Sequence, residues 1–199
     1  MKEIVILGGP NGAGKTTAAR IMLPEFLELH EYLNADEIAR RISPGNPDTA
    51  AFAAGRELLA RMRLLIAEGE SFALETTCSG KSYVPMLSEC RKQGWRISFF
   101  YFWLPRPEDS VARVARRVAE GGHNIPAEAI FRRFRTGLWN ALNLYLPLAN
   151  RAEIYDNSDR QRILIAQKVD DSLLSIINPE RWAEMVEVAD EKHDFPGNV

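Results

Sequence analysis

Apolar residues along this chain fall into short solid blocks, separated by longer stretches in which they recur every three or four positions. Six blocks read as strands: "EIVILGG", "EYLNAD", "SFALETT", "WRISFFYFWL", "AEIYDNS" and "RILIAQKV". β-Branched and aromatic residues fill them, and Gly, Asn and Asp bound them. The helical period runs through "GKTTAARIML", a long segment from Asp48 to Glu68, "YVPMLSECRKQ", and two segments starting near Glu108 and Pro126. Such alternation predicts the α/β class, with βαβ units around a mainly parallel sheet and helices on both faces. Ile4–Leu7 and Ile97–Leu104 are apolar without alternation, as strands covered on both faces are. "SPGNPDT" at 43–49 reads as a turn between two helices and "EKHDFPGNV" as a frayed tail. No linker interrupts the pattern, so one domain is expected over residues 1–199.

The turn after the first strand carries the strongest chemical signal. In "GGPNGAGKTT", Gly9, Gly14, Lys15 and Thr16 fit G-x-x-x-x-G-K-[ST]. At a strand-to-helix junction, backbone N–H groups and the positive end of the helix converge on an anion, and glycines allow the dihedrals and close approach. Gly9, Pro10, Asn11, Gly12, Ala13, Gly14, Lys15, Thr16 and Thr17 are therefore the candidate nucleotide cradle. Lys15 is expected at the β/γ-phosphates and the Thr16 hydroxyl on Mg²⁺. Hydrolases, switches and transferases share this cradle. An asparagine-lysine-x-aspartate guanine motif and an "LSGGQ" signature are both missing, which leaves a small-molecule kinase or a different ATPase.

Ligands of parallel α/β sheets bind beyond the carboxyl ends of the strands, so polar residues there carry extra weight. "EYLNAD" ends in Asn34 and Asp36, "FALETT" in Glu75, Thr76 and Thr77, and "EIYDNS" in Asp156, Asn157 and Ser158. Asp36 suits a base that accepts the proton of an attacking hydroxyl, and equally an N-cap for "EIARRI"; the two roles are compatible. Glu75 can position a Mg²⁺-bound water or hold substrate hydroxyls together with Thr77, or it can be a solvated strand end. Asp156–Ser158 fit an adenine pocket or an ordinary turn.

Bulk charge adds little, because a net charge of -2 gives no overall attraction to nucleic acid or an anionic membrane. Its distribution is more telling. Seven arginines and no lysine lie between Arg106 and Arg135. Arginine binds phosphate oxygens bidentately and keeps its charge. Arg106, Arg116 and Arg135 read as a solvated face, whereas Arg117 and Arg133 flank "EGGHNIP", where two glycines end one helix and Asn124 and Pro126 open the next. A helix–loop–helix lid over about 106–146 is expected there, with Arg117 and Arg133 facing phosphate and His123 either touching phosphate or structural. The stripe Ile130, Phe134, Leu138, Leu142, Tyr145 would hold its second helix down. Cys78 and Cys90 read as reduced thiols. No stretch has membrane-span length and the first residues lack a signal-peptide pattern, so a cytoplasmic protein is expected.

Together "GGPNGAGKTT", "LNADEIA", "LETTCSG", "ARRVAEGGHNIP..AIFRRF" and "YDNS" resemble the zeta-toxin family of P-loop kinases and its chromosomal relatives, over about residues 3 to 170. The resemblance implies a three-layer α/β/α fold with strand order 2-3-1-4-5, ATP or GTP with Mg²⁺, and phosphoryl transfer to a hydroxyl. It implies UDP-N-acetylglucosamine or another small hydroxylated metabolite as acceptor, and an antitoxin as protein partner. Lys15 and Thr16 keep their phosphate and metal roles, Asp36 matches the catalytic base, and Asn34, Glu75 and Thr77 the substrate-holding set. Arg117 and Arg133 match the arginines aimed at the transferring phosphate, and Asn157 falls with the nucleotide site. Two other readings stay open: a nucleotide-dependent regulatory module with no dedicated acceptor, and a kinase of RNA ends. Against the second, no wide basic stripe with interleaved aromatics is present, so nucleic acid is not an expected partner.

Overall fold

A computed structural model describes residues 2–191 of the chain, except 123 and 160. Its elements in order are β1 (Glu3–Gly8), α1 (Lys15–Met22), α2 (Pro24–Leu29), β2 (Glu31–Asn34), α3 (Ala35–Ile42), α4 (Ala51–Glu68), β3 (Phe72–Thr76) and α5 (Val84–Lys92). There follow β4 (Arg96–Trp103), α6 (Pro107–Ala119), α7 (Ala127–Asn140), β5 (Arg151–Asp156), β6 (Ile163–Lys168), β7 (Ser175–Ile176) and α8 (Pro179–Asp190). All six expected strands form. The tail from residue 192 and the expectation for His123 lie outside the described residues.

The strands make one sheet in the order β2-β3-β1-β4-β5-β6-β7. The first five are parallel, in the order 2-3-1-4-5. β6 and β7 add an antiparallel edge. Only residues 157–162 separate β5 from β6, too few for the crossover a parallel partner needs, so the chain must turn back on itself.

Period two explains the layers. Ile4, Ile6, Phe72, Leu74, Ile97, Phe99 and Tyr101 bury one face with Leu58, Met62 and Leu65 of α4 and Leu87 of α5. Val5, Leu7, Ala73, Phe100 and Phe102 bury the other face with Ala18 and Ala19 of α1. Each large apolar side chain so covered contributes about 1.5–3 kcal/mol. β4, buried along all but its first residue, is the central slab that the unbroken apolar run implied. No described helix is long and apolar enough to cross a membrane.

The same registers level the strand tips. Leu7 pairs with Glu75 and Gly8 with both Thr76 and Tyr101, while Asn34 pairs with Glu75 and Trp103 with Asp156. The polar residues that end β2, β3 and β5 therefore rise beside the loop that follows β1.

Candidate active site

That loop is a cradle held from three sides. Gly12 and Gly14 take positive φ, +75° and +79°, which turns the chain directly into α1. Lys15 is buried, and its ammonium donates to the carbonyls of Gly9 and Pro10, each at 2.9 Å. Ala13 N–H closes the turn on Pro10 O at 3.2 Å. From the β5 tip, the Asn157 amide donates to Ala13 O at 2.6 Å. Asn157 was expected among the nucleotide contacts; in the structure its side chain braces the loop from behind. From above, α6 presses on Gly12, where a Cβ would stand 3.1 Å from Ser110 O.

Arg113, which composition alone did not single out, locks this corner. Its guanidinium donates to Asn157 O at 2.9 Å and to Ser158 O. Asp156, fully buried, accepts from Ser158 N–H at 2.8 Å and faces Arg181 Nε at 3.3 Å. The i, i+4 spacing of Arg113 and Arg117 on one helix face was the signal that could have found it.

At the β3 tip, Glu75 collects the hydroxyls around it. Thr16 Oγ1 donates to Glu75 Oε2 at 2.7 Å, Tyr32 OH donates to the same oxygen, and Lys15 Nζ is 3.9 Å from Oε1. Burial, reinforced by the Glu75 charge, pushes the Tyr32 phenol far up, so Tyr32 serves as a donor. Sequence reasoning missed Tyr32, because only the β2–β3 pairing brings it to Glu75.

At the β2 tip the capping question is resolved in favour of a neighbour. Asn34 Oδ1 accepts from Asp36 N–H at 2.8 Å and caps α3. Asp36 is therefore not the cap, and its carboxylate is left to the cavities that open beside it.

Two cavities open over these tips, and Asn11, Lys15, Asp36 and Glu75 line both. The larger, 620 Å³, runs along the cradle past Gly12, Gly14, Thr16 and Thr17 and under Arg113, Arg116 and Arg117 of α6. The smaller, 260 Å³, lies between α3, the start of α4, the loop after β3, and α7. Asn34, Thr77 and Arg133 line the smaller one only. The two arginines expected to act together thus stand on opposite sides of a shared wall. Arg106 and Arg116 are mostly solvent-exposed and pair with Asp109 and Glu120, as a solvated face does, although Arg116 also reaches the rim of the larger cavity.

α7 also fixes the loop after β3. A Cβ on Gly137 would stand 2.2 Å from Thr77 O, so only glycine allows this approach. Asn140 donates to Cys78 O at 2.8 Å and Ser79 O at 3.2 Å, and Tyr145 OH to Gly80 O at 2.9 Å. A single wide π turn, Ala141–Tyr145, carries Tyr145 to that carbonyl. Cys78 itself sits at φ +57° with no exposed surface.

No group of three or more His, Cys, Asp or Glu able to hold a metal occurs among the described residues. Thr16 and Glu75 nonetheless fit Mg²⁺, which takes one or two protein oxygens and completes its shell with phosphate and water.

A glycine-turned cradle at the head of a parallel sheet, with lysine and threonine opening the helix, defines a P-loop protein. The chain belongs to the AAA domain family, whose profile covers residues 4–136. It is 30% identical over 126 residues to an uncharacterized protein of Haemophilus influenzae, a match spanning 63% of this chain and 88% of the relative. In three dimensions it is similar to a chain of the AvrRxo1-ORF1:ORF2 complex solved with ATP, at TM-score 0.75 and 14% identity. That match covers all of this chain and 66% of the other. A chain from the PezAT chromosomal toxin-antitoxin system of Streptococcus pneumoniae aligns at TM-score 0.63 and 18% identity, over 96% of this chain and 84% of that one. The fold is the P-loop α/β/α fold, with the parallel order 2-3-1-4-5, that the resemblance implied.

Proposed function

We propose that this protein is a Mg²⁺-dependent kinase that moves the γ-phosphate of ATP to a hydroxyl of a small metabolite. One observation carries the reading: two cavities of different character share a wall made of Lys15, Asp36, Glu75 and Asn11. A hydrolase needs one seat and a water, whereas a transferase needs a donor seat and an acceptor seat that touch at the transferring phosphate.

The larger cavity suits the donor phosphates, with the cradle below and α6 arginines above. Lys15 and Arg117 oppose the negative charge that spreads over the transferring group, and Arg133 approaches from the acceptor side. Asp36 takes the acceptor's hydroxyl proton while the oxygen bonds to phosphorus and the bond from the γ-phosphorus to the β,γ-bridging oxygen breaks. Glu75, anchored by Thr16 and Tyr32, holds the shared wall in place. Mg²⁺ supplies charge neutralisation at the phosphates when bound, with Thr16 and Glu75 the residues that would hold it.

The structural neighbour solved with ATP makes ATP the first donor to test and GTP the second. UDP-N-acetylglucosamine is the acceptor that the family resemblance names. Two structural neighbours come from protein complexes, one of them a toxin-antitoxin system, and we extend an antitoxin-like partner to this chain on that footing. The activity requires the cytoplasm, where ATP is supplied.

The test incubates the full chain with Mg²⁺, γ-labelled ATP and a cell metabolite extract, followed by mass spectrometry of labelled products. A labelled organic phosphate that disappears with Lys15→Ala and with Asp36→Ala is expected. Release of inorganic phosphate alone would leave a nucleotide hydrolase and end the kinase reading.

A further inference from the structure

We infer that Arg181, on α8, is a positioning residue of the nucleotide seat: through the buried Asp156 it fixes the β5 tip that braces the cradle. Only ATP binding at the cradle is required for this role, and not the transfer step.

Asp156 is a carboxylate taken out of water, and such a group has to be held by hydrogen bonds or by a counter-charge. Ser158 N–H serves its Oδ1 at 2.8 Å, whereas Oδ2 receives no hydrogen bond and faces Arg181 Nε at 3.3 Å. Arg181 comes from a first turn that is tied down twice. Asn178 Oδ1 accepts from Arg181 N–H at 3.1 Å, and the N–H groups of Ile177 and Asn178 donate to Ile165 O of β6 at 2.8 and 3.0 Å. β6 pairs with β5, so α8 starts beside the strand whose tip it serves. Glu184, one turn further along α8, accepts from Arg181 Nη1 at 3.0 Å and holds the other end of the guanidinium.

A buried ion pair seldom stabilises a fold more than apolar residues of the same shape would. What this one adds is position. Asp156 is followed directly by Asn157, whose amide donates to Ala13 O between the two positive-φ glycines of the cradle. Arg113 of the α6 wall holds the carbonyls of Asn157 and Ser158. One corner thus joins α8, the β5 tip, α6 and the cradle, and Arg113 and Ser158 of that corner line the donor cavity. Without Arg181 the Asp156 carboxylate is left enclosed and uncompensated, which is a costly state. Its nearest relief is to turn outward to water, which gives up Ser158 N–H and moves Asn157 with it. Ala13 O then loses its donor, and the loop that receives phosphate loses its brace. Asn34, Thr77 and Arg133, which line the acceptor cavity, stand on other elements, so the effect falls on the nucleotide side.

The experiment measures binding of a non-hydrolysable ATP analogue with Mg²⁺ to the full chain by calorimetric titration, at a temperature where circular dichroism shows each variant folded. Arg181→Leu, which removes the charge, is expected to raise the Kd roughly tenfold. Adding Asp156→Asn, which keeps an acceptor for Ser158 N–H and needs no counter-charge, is expected to bring the Kd back to within about threefold of wild type. A purely structural pair would lower the urea midpoint of Arg181→Leu and leave the Kd of the folded chain unchanged, and that result overturns the inference. So does a folded double variant that binds as weakly as Arg181→Leu, because Arg181 then acts other than through Asp156. Should Arg181→Leu not fold, Arg181→Lys replaces it, keeping the charge but not the planar fork; a raised Kd is expected, and an unchanged one overturns the inference. Wild-type binding with no effect of the variants leaves the kinase reading standing, whereas absence of binding in wild type overturns both.

Discussion

Cys78 lies where the cradle meets the loop after β3, and its surroundings make it a reporter of that packing. Its sulfur would stand 3.0 Å from a Cβ on Gly8. Burial pushes the thiol up to about 12, against a smaller opposing pull from the Lys15 charge. An unfolded cysteine titrates near 8.5, so between roughly pH 8.5 and 12 the folded chain keeps a proton that the unfolded chain has lost. The thiol's stabilising contribution is therefore fully present below about pH 8.5 and falls as pH rises towards 12. Urea denaturation at pH 8 and pH 10.5 should show wild type losing more stability across that interval than Cys78→Ala does. Parallel losses in the two proteins would mean the thiol is not held in a dry site. Other buried phenols also titrate at high pH, and the difference between the two chains removes their shared effect.

Helix α7 is where an element's composition and its job conflict. A mid-helix Gly137 costs about 1 kcal/mol relative to alanine, so Gly137→Ala ought to stabilise the helix. Sterics decide otherwise, because the added Cβ would meet Thr77 O at 2.2 Å, well inside contact. Overpacking of this kind costs about 1–3 kcal/mol, and relief requires α7 or the loop after β3 to move. Gly137→Ala should therefore lower the urea midpoint and raise the acceptor KM while ATP binding holds; a stabilised variant would contradict the contact. The sequence made α7 legible as a helix through Ile130, Phe134 and Leu138, all buried, since periodicity is local. It could not show that Asn140 and Tyr145 hold the carbonyls of Cys78, Ser79 and Gly80, because those partners lie more than sixty residues away in the chain. The lid expectation is refined for the same reason. α6 bonds the β5 tip beside the cradle through Arg113, and α7 bonds the loop after β3 through Asn140, so each helix walls one of the two cavities.

Across the whole molecule, what was legible follows from the range over which each cause acts. The cradle and the first six strands were readable because turn chemistry and apolar runs are short-range. Tyr32 at Glu75, Asn157 at Ala13 and the antiparallel β6–β7 edge depend on which strands neighbour each other. β7, two residues long and exposed, has no pattern to read. The same neighbour relations separate binding from transfer. ATP phosphates would touch Lys15, Thr16 and the α6 wall, whereas Asp36 reaches them only along the shared boundary. A ligand present at 100 times its Kd stabilises the folded state by about 2.7 kcal/mol. For a chain of this size that corresponds to a Tm increase of roughly 5–10 °C. Wild type with Mg²⁺ and a non-hydrolysable ATP analogue should show this increase, Lys15→Ala should lose it, and Asp36→Ala should keep it. If Asp36→Ala loses the shift as fully as Lys15→Ala, the carboxylate belongs to the nucleotide seat, and the division of the site into donor and acceptor halves is wrong. If it keeps the shift but transfers no phosphate, the carboxylate acts at the boundary between two seats that the sheet order brings together.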